Sequence, residues 1–234
     1  GGAVLARAIG AAENLPDTVV AGPGDDAAIL RQPGGGFQVL STDHLRAFVD
    51  DPVQMTRIAA VHALGDIWAM GSNPQVALSS IVLPRMSAAL QERTLREISD
   101  TARAVFAQAG ATVVGGHTTM GAEMTIGFTV TGLRDTMPIT VAGARAGDVL
   151  LLTRPIGTGV ILAAHMAGKA PARIVAQMLA VMEQPQHIAA RILHGAHAMT
   201  DVTGFGLAGH IAAICAASGV RVTIRDRPSG PAFA

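Results

Sequence analysis

The chain holds one cysteine, Cys215, and one lysine, Lys169, among its 234 residues. A single thiol excludes an intrachain disulfide and any Cys-x-x-Cys metal site, and it fits a reducing, cytoplasmic setting. In "HIAAICAAS" it reads as a buried, inert core residue. The lone lysine sits in "AGKAP", between helical segments, and no Gly-x-x-x-x-Gly-Lys-Ser/Thr occurs. A Walker loop is therefore excluded, and lysine is not what would hold a nucleotide's phosphates here.

An excess of either charge is also missing, since 17 Lys and Arg face 17 Asp and Glu without any long run of one sign. That balance predicts no nucleic-acid partner and no anionic membrane surface, leaving a small molecule as the ligand class. No apolar run approaches the roughly 20 residues of a membrane-spanning helix. The opening "GGAVLARAIG" has neither an initiating Met nor the basic and apolar regions of a secretory signal, so it reads as the interior of a longer product.

What the sequence does have is apolar substance: half of it is hydrophobic, enough for a large core. Periodicity predicts a helix over 3–14, strands over 27–31 and 37–42 around the turn "PGGG", and a buried helix that starts after Asp51 and Pro52 and stops at Gly71. A strand over 75–83, a helix over 87–110, and strands in "ATVVGG" and "EMTIGFTVTGL" follow. "MPITVAGARAGDVLLL" reads as a connector, which divides the chain into residues 1–143 and 144–234. The second unit is predicted to have a strand in "DVLLLT", helices near 157–167, 171–195 and 205–217, and a last strand in "GVRVTIR". Two strands give too little sheet to cover three helices, so this unit is expected to be incomplete.

Four features carry chemistry. In "GPGDDAAIL", Gly24 precedes the adjacent carboxylates Asp25 and Asp26, and Asp43 follows where the next strand is expected to end. Asp66 lies four residues after His62 on one face of the apolar helix, and a carboxylate buried there needs a metal, a cation or hydrogen bonds. "VVGGHTTMGAE" runs a strand into Gly116, His117 and Thr118, whose backbone and side-chain donors suit an anion, although strand-Gly-Gly is equally an ordinary turn. "TDVTGFGLAGH" offers Asp201 as a metal carboxylate facing the first unit, or else a helix start capped by Thr203. Carboxylates without a basic cluster favour phosphate bridged by Mg²⁺ over direct ion pairing. His44, His165, His187, His194, His197 and His210 lack zinc-like spacing and read as surface or satisfied core residues.

In order, "GDDAA", "STDH", "RIAAVHALGDIWAMG", "VVGGHTTMG", "LTRPIGTGV" and "TDVTGFGLAGH" resemble selenophosphate synthetase (selenide, water dikinase), from about residue 20 to the last strand. The resemblance implies a fold like aminoimidazole ribonucleotide synthetase: an N-terminal α/β domain that dimerises through its sheet, then an α+β domain, with ATP and Mg²⁺ between them. It implies conversion of ATP, selenide and water into selenophosphate, AMP and phosphate. Asp26, Asp66 and Asp201 correspond to metal ligands, with Asp66 also facing ATP, and Asp43 to a metal or nucleotide contact. Gly24 and Asp25 would lie beside the nucleotide, and Gly116, His117 and Thr118 would reach ATP, in a homodimer from the partner subunit.

The family's glycine-rich flap, with its cysteine or selenocysteine and its lysine, has no counterpart here, so no catalytic residue is assigned. His62 stands where asparagine is common. The "GGHTTMGAE" form resembles members fused behind a pyridine-nucleotide oxidoreductase-like domain, which makes such a domain, fused or as a partner, an expectation. Thiamine-monophosphate kinases share "GDDAA" and the aspartate helix but carry Gly-Gly-Asp and Ser-Asp-Gly where this chain has "GGH" and "DVTGFG". A nucleotide-binding or dimerisation fragment without turnover is the remaining alternative.

Overall fold

The computed structural model describes residues 15–224, so the helix expected over 3–14 lies outside the described residues. Six strands form one sheet: β1 (Val19–Ala21), β2 (Ala28–Arg31), β3 (Phe37–Arg46), β4 (Asn73–Pro84), β5 (Thr112–Gly121) and β6 (Thr125–Arg134), in the order β1-β2-β3-β6-β4-β5. Every pairing is antiparallel except β4 with β5. A parallel pair needs a long crossover, and helix α2 (Ala88–Gln108) supplies it. β1 is too short for sequence periodicity to reveal.

Helix α1 (Pro52–Ala69) lies under the middle of the sheet. Asp51 caps it by accepting from the Val53 N–H at 2.9 Å, and Pro52 occupies the first turn, where a missing N–H costs nothing. The helix ends at Gly71, whose φ of 62° suits glycine, beside the Arg134 guanidinium. Twelve of its 18 residues are buried, because β3 and β6, α2 and the second unit's α4 (Ala172–Met182) all pack on it. The main core joins Met55, Leu64 and Ile67 of α1 to Ile98 and Phe106 of α2 and to Val39, Ile126 and Phe128 of the sheet. Phe106 and Phe128 meet edge-on at 4.9 Å. The opposite sheet face keeps Leu40, Leu78 and Leu133 exposed.

Beyond β6 come α3 (Thr158–Met166), α4, α5 (His187–Ile192) and α6 (Gly206–Ser218). The single helix expected over 171–195 is two helices, interrupted at "EQPQ": Pro185 has no N–H and pushes the residue before it out of the helical region. A second cluster of Val175, Met178 and Leu179 on α4 with Ile58 on α1 joins the two units. The strands expected in "DVLLLT" and in "GVRVTIR" do not form among the described residues. A strand needs a ladder partner, and none is present there: Val149 is 80% and Leu151 64% exposed. Cys215, read as buried, is only partly so, because α6 buries none of its residues. No described helix is long and apolar enough to cross a membrane.

Candidate metal centre

Three aspartates distant in sequence converge: one oxygen each from Asp26, Asp66 and Asp201 lies within 4.8 Å of the others. Asp26 stands in the loop before β2, Asp66 on α1, and Asp201 in the loop before α6. The sequence arranges this by matching two periods. Residues two apart on a strand and four apart on a helix both advance about 6 to 7 Å, so a strand crossing a helix presents two matched pairs. Ser41 of β3 donates its hydroxyl to Asp66 Oδ2, and Asp43, two residues on, meets His62, four residues back, with Nε2 3.6 Å from Oδ2. Asp201 reaches α1 over Gly65, where an added Cβ would lie 3.3 Å from Asp201 Oδ2.

Burial dominates the electrostatics. It pushes Asp26 up to about 7, with the charge of Asp201 adding to the effect and the Thr200 hydrogen bond opposing it. Asp66 is pushed up to about 9 by burial, then by Asp201, against the Ser41 hydrogen bond. Asp201 is also raised by burial, while His62 and His210 pull it back. Among the described residues no lysine or arginine pairs with any of the three. Asp26 Oδ2 is sealed from solvent without a hydrogen-bond partner. An orphaned carboxylate oxygen beside two further carboxylates fits a hard divalent cation such as Mg²⁺, which takes oxygen donors and offsets two of the three charges.

The other predicted positions divide. Asp25 spends its oxygens on backbone donors, the Asp26 N–H at 3.0 Å and the Val141 N–H at 3.3 Å, which ties the connector to the "GDD" turn. Gly24 supplies the left-handed φ of 121° that lets the turn form. Asp43 lies inside β3 rather than at its end, because β3 pairs with β6 as far as Arg46. Gly116, His117 and Thr118 lie within β5, opposite Ser79, Ser80 and Ile81 of β4, where a turn had been one reading. The order β3-β6-β4-β5 sets them three strand spacings, about 14 Å, from β3, so one chain does not bring them to the carboxylates. Gly116 must be glycine, since a Cβ there would meet the backbone of Ser79.

Thr203 is not the cap of α6, which begins at Gly206 without a side-chain cap; its N–H goes to His210 Nε2 at 3.1 Å. Sequence reasoning missed Ser41 and Thr200. The first was legible as the residue two before Asp43 on one strand face; the second stands next to Asp201 and donates to Asp26 Oδ1 at 2.8 Å.

Residues 24–134 match the family described as AIR synthase related protein, N-terminal domain, and residues 145–233 match its C-terminal domain. The selenide, water dikinase of Burkholderia pseudomallei is 38% identical over 206 residues, covering 86% of this chain and 57% of that protein. This chain thus spans little more than half of that relative's length. The solved thiamine-monophosphate kinase of Stenotrophomonas maltophilia superposes with a TM-score of 0.64 at 22% identity, over 91% of this chain and 70% of the other. The hydrogenase maturation protein HypE, solved in complex with ATP, gives 0.60 at 19%, over 91% and 60%. These two structures share the two-domain fold, with its mixed six-stranded sheet and flanking helices.

Proposed function

The chain belongs to the AIR synthase related protein family, and from that premise we propose that the whole protein is a selenide, water dikinase, which turns ATP, selenide and water into selenophosphate, AMP and phosphate. The observation that carries the reading is the convergence of Asp26, Asp66 and Asp201 with an orphaned oxygen among them. The 38% identity to a selenide, water dikinase supports selenide over other acceptors. We also take residues 1–143 as the ATP- and metal-binding, dimerising domain, and 144–234 as part of the second domain.

Asp26, Asp66 and Asp201 would hold Mg²⁺, with Asp43 beside them. A bound divalent cation neutralises phosphate charge and polarises the phosphorus–oxygen bonds that break. The protein's part is positional. Ser41 fixes the Asp66 carboxylate, Asp25 holds the connector, Gly24 lets the "GDD" turn form, and Gly24 and Asp25 would lie beside the nucleotide. Lys169 is exposed after α3, so phosphate charge falls to the carboxylate-held cation rather than to lysine. Gly116, His117 and Thr118 would reach ATP from the second subunit of a homodimer. No selenium-handling residue is assigned in this sequence, and an oxidoreductase-like domain, fused or separate, is the proposed source of reduced selenium.

Phosphorus NMR of the full-length protein with ATP, Mg²⁺ and selenide should show AMP and a selenophosphate resonance. ADP as the sole nucleotide product would favour a kinase of the thiamine-monophosphate type, and no nucleotide turnover would favour a binding or dimerisation module.

A further inference from the structure

Asp26 keeps one oxygen for the cluster because the other is already taken, and the group that takes it has a fixed polarity. Thr200 Oγ1 lies 2.8 Å from Asp26 Oδ1, 3.0 Å from the Asp201 carbonyl oxygen and 3.4 Å from His210 Nδ1. A hydroxyl with one proton and three such neighbours needs something to choose among them. His210 makes the choice. The Thr203 backbone N–H can only donate, and it points at His210 Nε2 from 3.1 Å, with the Thr203 hydroxyl also within 3.4 Å. Nε2 therefore presents its lone pair and the ring proton sits on Nδ1. Nδ1 then donates to Thr200 Oγ1, which turns the hydroxyl's own proton away from the ring. Of the two acceptors left, the Asp26 carboxylate is the nearer, and once ionised it is the stronger.

From this polarity we propose that His210 and Thr200 are positioning residues, through which the Thr203 N–H holds Asp26 Oδ1 as an acceptor and leaves Oδ2 bare toward the cluster. The inference rests on the reading that the three carboxylates hold a divalent cation, and it assigns the outer groups that orient one of them. It also joins the two units. Asp26 precedes β2, whereas Thr200, Thr203 and His210 lie before and within α6, so Asp26 is oriented only when the second unit's loop is docked. The Phe205 ring, tilted 56° at 5.9 Å from that of His210, braces the imidazole.

The test titrates the full-length protein with Mg²⁺ alone by calorimetry, beside melting temperatures without metal. Gln at 210 sets its amide oxygen near the Nε2 position, which satisfies the Thr203 N–H but removes the donor to Thr200. Asn sets an N–H near the Nδ1 position and does the reverse. His210→Gln should weaken Mg²⁺ binding about tenfold, and His210→Asn by less than about threefold. Thr200→Val should cost about tenfold, Thr200→Ser should restore affinity, and Thr200→Val with His210→Gln should be no weaker than Thr200→Val alone. Equal affinities for the Gln and Asn variants, or losses that track melting temperature across the set, overturn the relay. Abolition of binding by Asp26→Asn with no effect of His210→Gln removes the relay and keeps the site. Unchanged binding in Asp26→Asn removes both.

Discussion

Asp26 and Asp66 hold their protons more tightly in the folded chain than in the unfolded one, because burial and a neighbouring carboxylate both oppose ionisation. A carboxyl raised above its ordinary value gives stability that is complete below about pH 4 and is lost as pH rises through the window ending near 7 for Asp26 and near 9 for Asp66. Metal-free protein should therefore melt roughly 5 °C or more lower at about pH 9 than at about pH 5, and saturating Mg²⁺ should restore most of the difference at the higher pH. Scanning calorimetry across that range checks this; a metal-free melting temperature that rises with pH would mean that the carboxylates are not buried together. The opposition between burial and charge was legible in one place, the helical position of Asp66. That Asp25 and Asp26 part company, one to backbone donors and one to the cluster, was legible only as the adjacency of two like charges.

At the scale of elements, Arg134 at the end of β6 ties the C-terminal end of α1 to the segment after α5. Its guanidinium donates to the carbonyls of Gly71 at 2.7 Å and Met70 at 3.4 Å, and to that of His194 after α5 at 3.2 Å. These carbonyls stand at two helix ends, one in each unit, and a cation suits both. Arg134→Met should keep the packed stem but leave the Gly71 and His194 carbonyls without a donor, while the Met70 carbonyl keeps the Ile139 N–H at 3.0 Å, lowering stability by about 1–3 kcal/mol in urea unfolding. A change near zero would show that water replaces the guanidinium. The helix after Asp51 announced itself through its cap, whereas α2 was legible from its spacing and its terminal glycine, and Ser87, read as its first residue, proves to be its cap. Strand ends were less legible, because β3 and β5 continue past their apolar runs on pairing with β6 and β4, and pairing partners are not written in local sequence. The break at Pro185 was readable and was overridden by the apolar spacing on either side of it.

At the scale of the molecule, the sheet leaves Leu40, Leu78 and Leu133 exposed on one face, and the edge strand β5 exposes Val114 and Met120. Apolar side chains beside an open strand edge fit a second copy of the chain. Sedimentation velocity should give a dimer, and Leu78→Asp should shift it to monomer; a monomer at micromolar concentration without substitution would contradict that assignment. The gathering of Asp201 from the second unit onto α1 was not legible from spacing, since 135 residues separate it from Asp66 in the numbering and only the folded docking over Gly65 joins them. Family resemblance set Asp26, Asp66 and Asp201 together as one group, where local pattern gave a physical reason for Asp66 alone and offered Asp201 as one of two readings.

If these carboxylates form one cation-dependent nucleotide site across two units, nucleotide and Mg²⁺ bind together. Calorimetric titration of a non-hydrolysable ATP analogue into the full-length protein, with and without Mg²⁺, tests it most directly. Binding should require Mg²⁺, and Asp66→Asn and Asp201→Asn should each weaken it by about tenfold or more, with the metal-free fold intact by circular dichroism. Binding of equal strength without Mg²⁺, or undiminished in both variants, would contradict it.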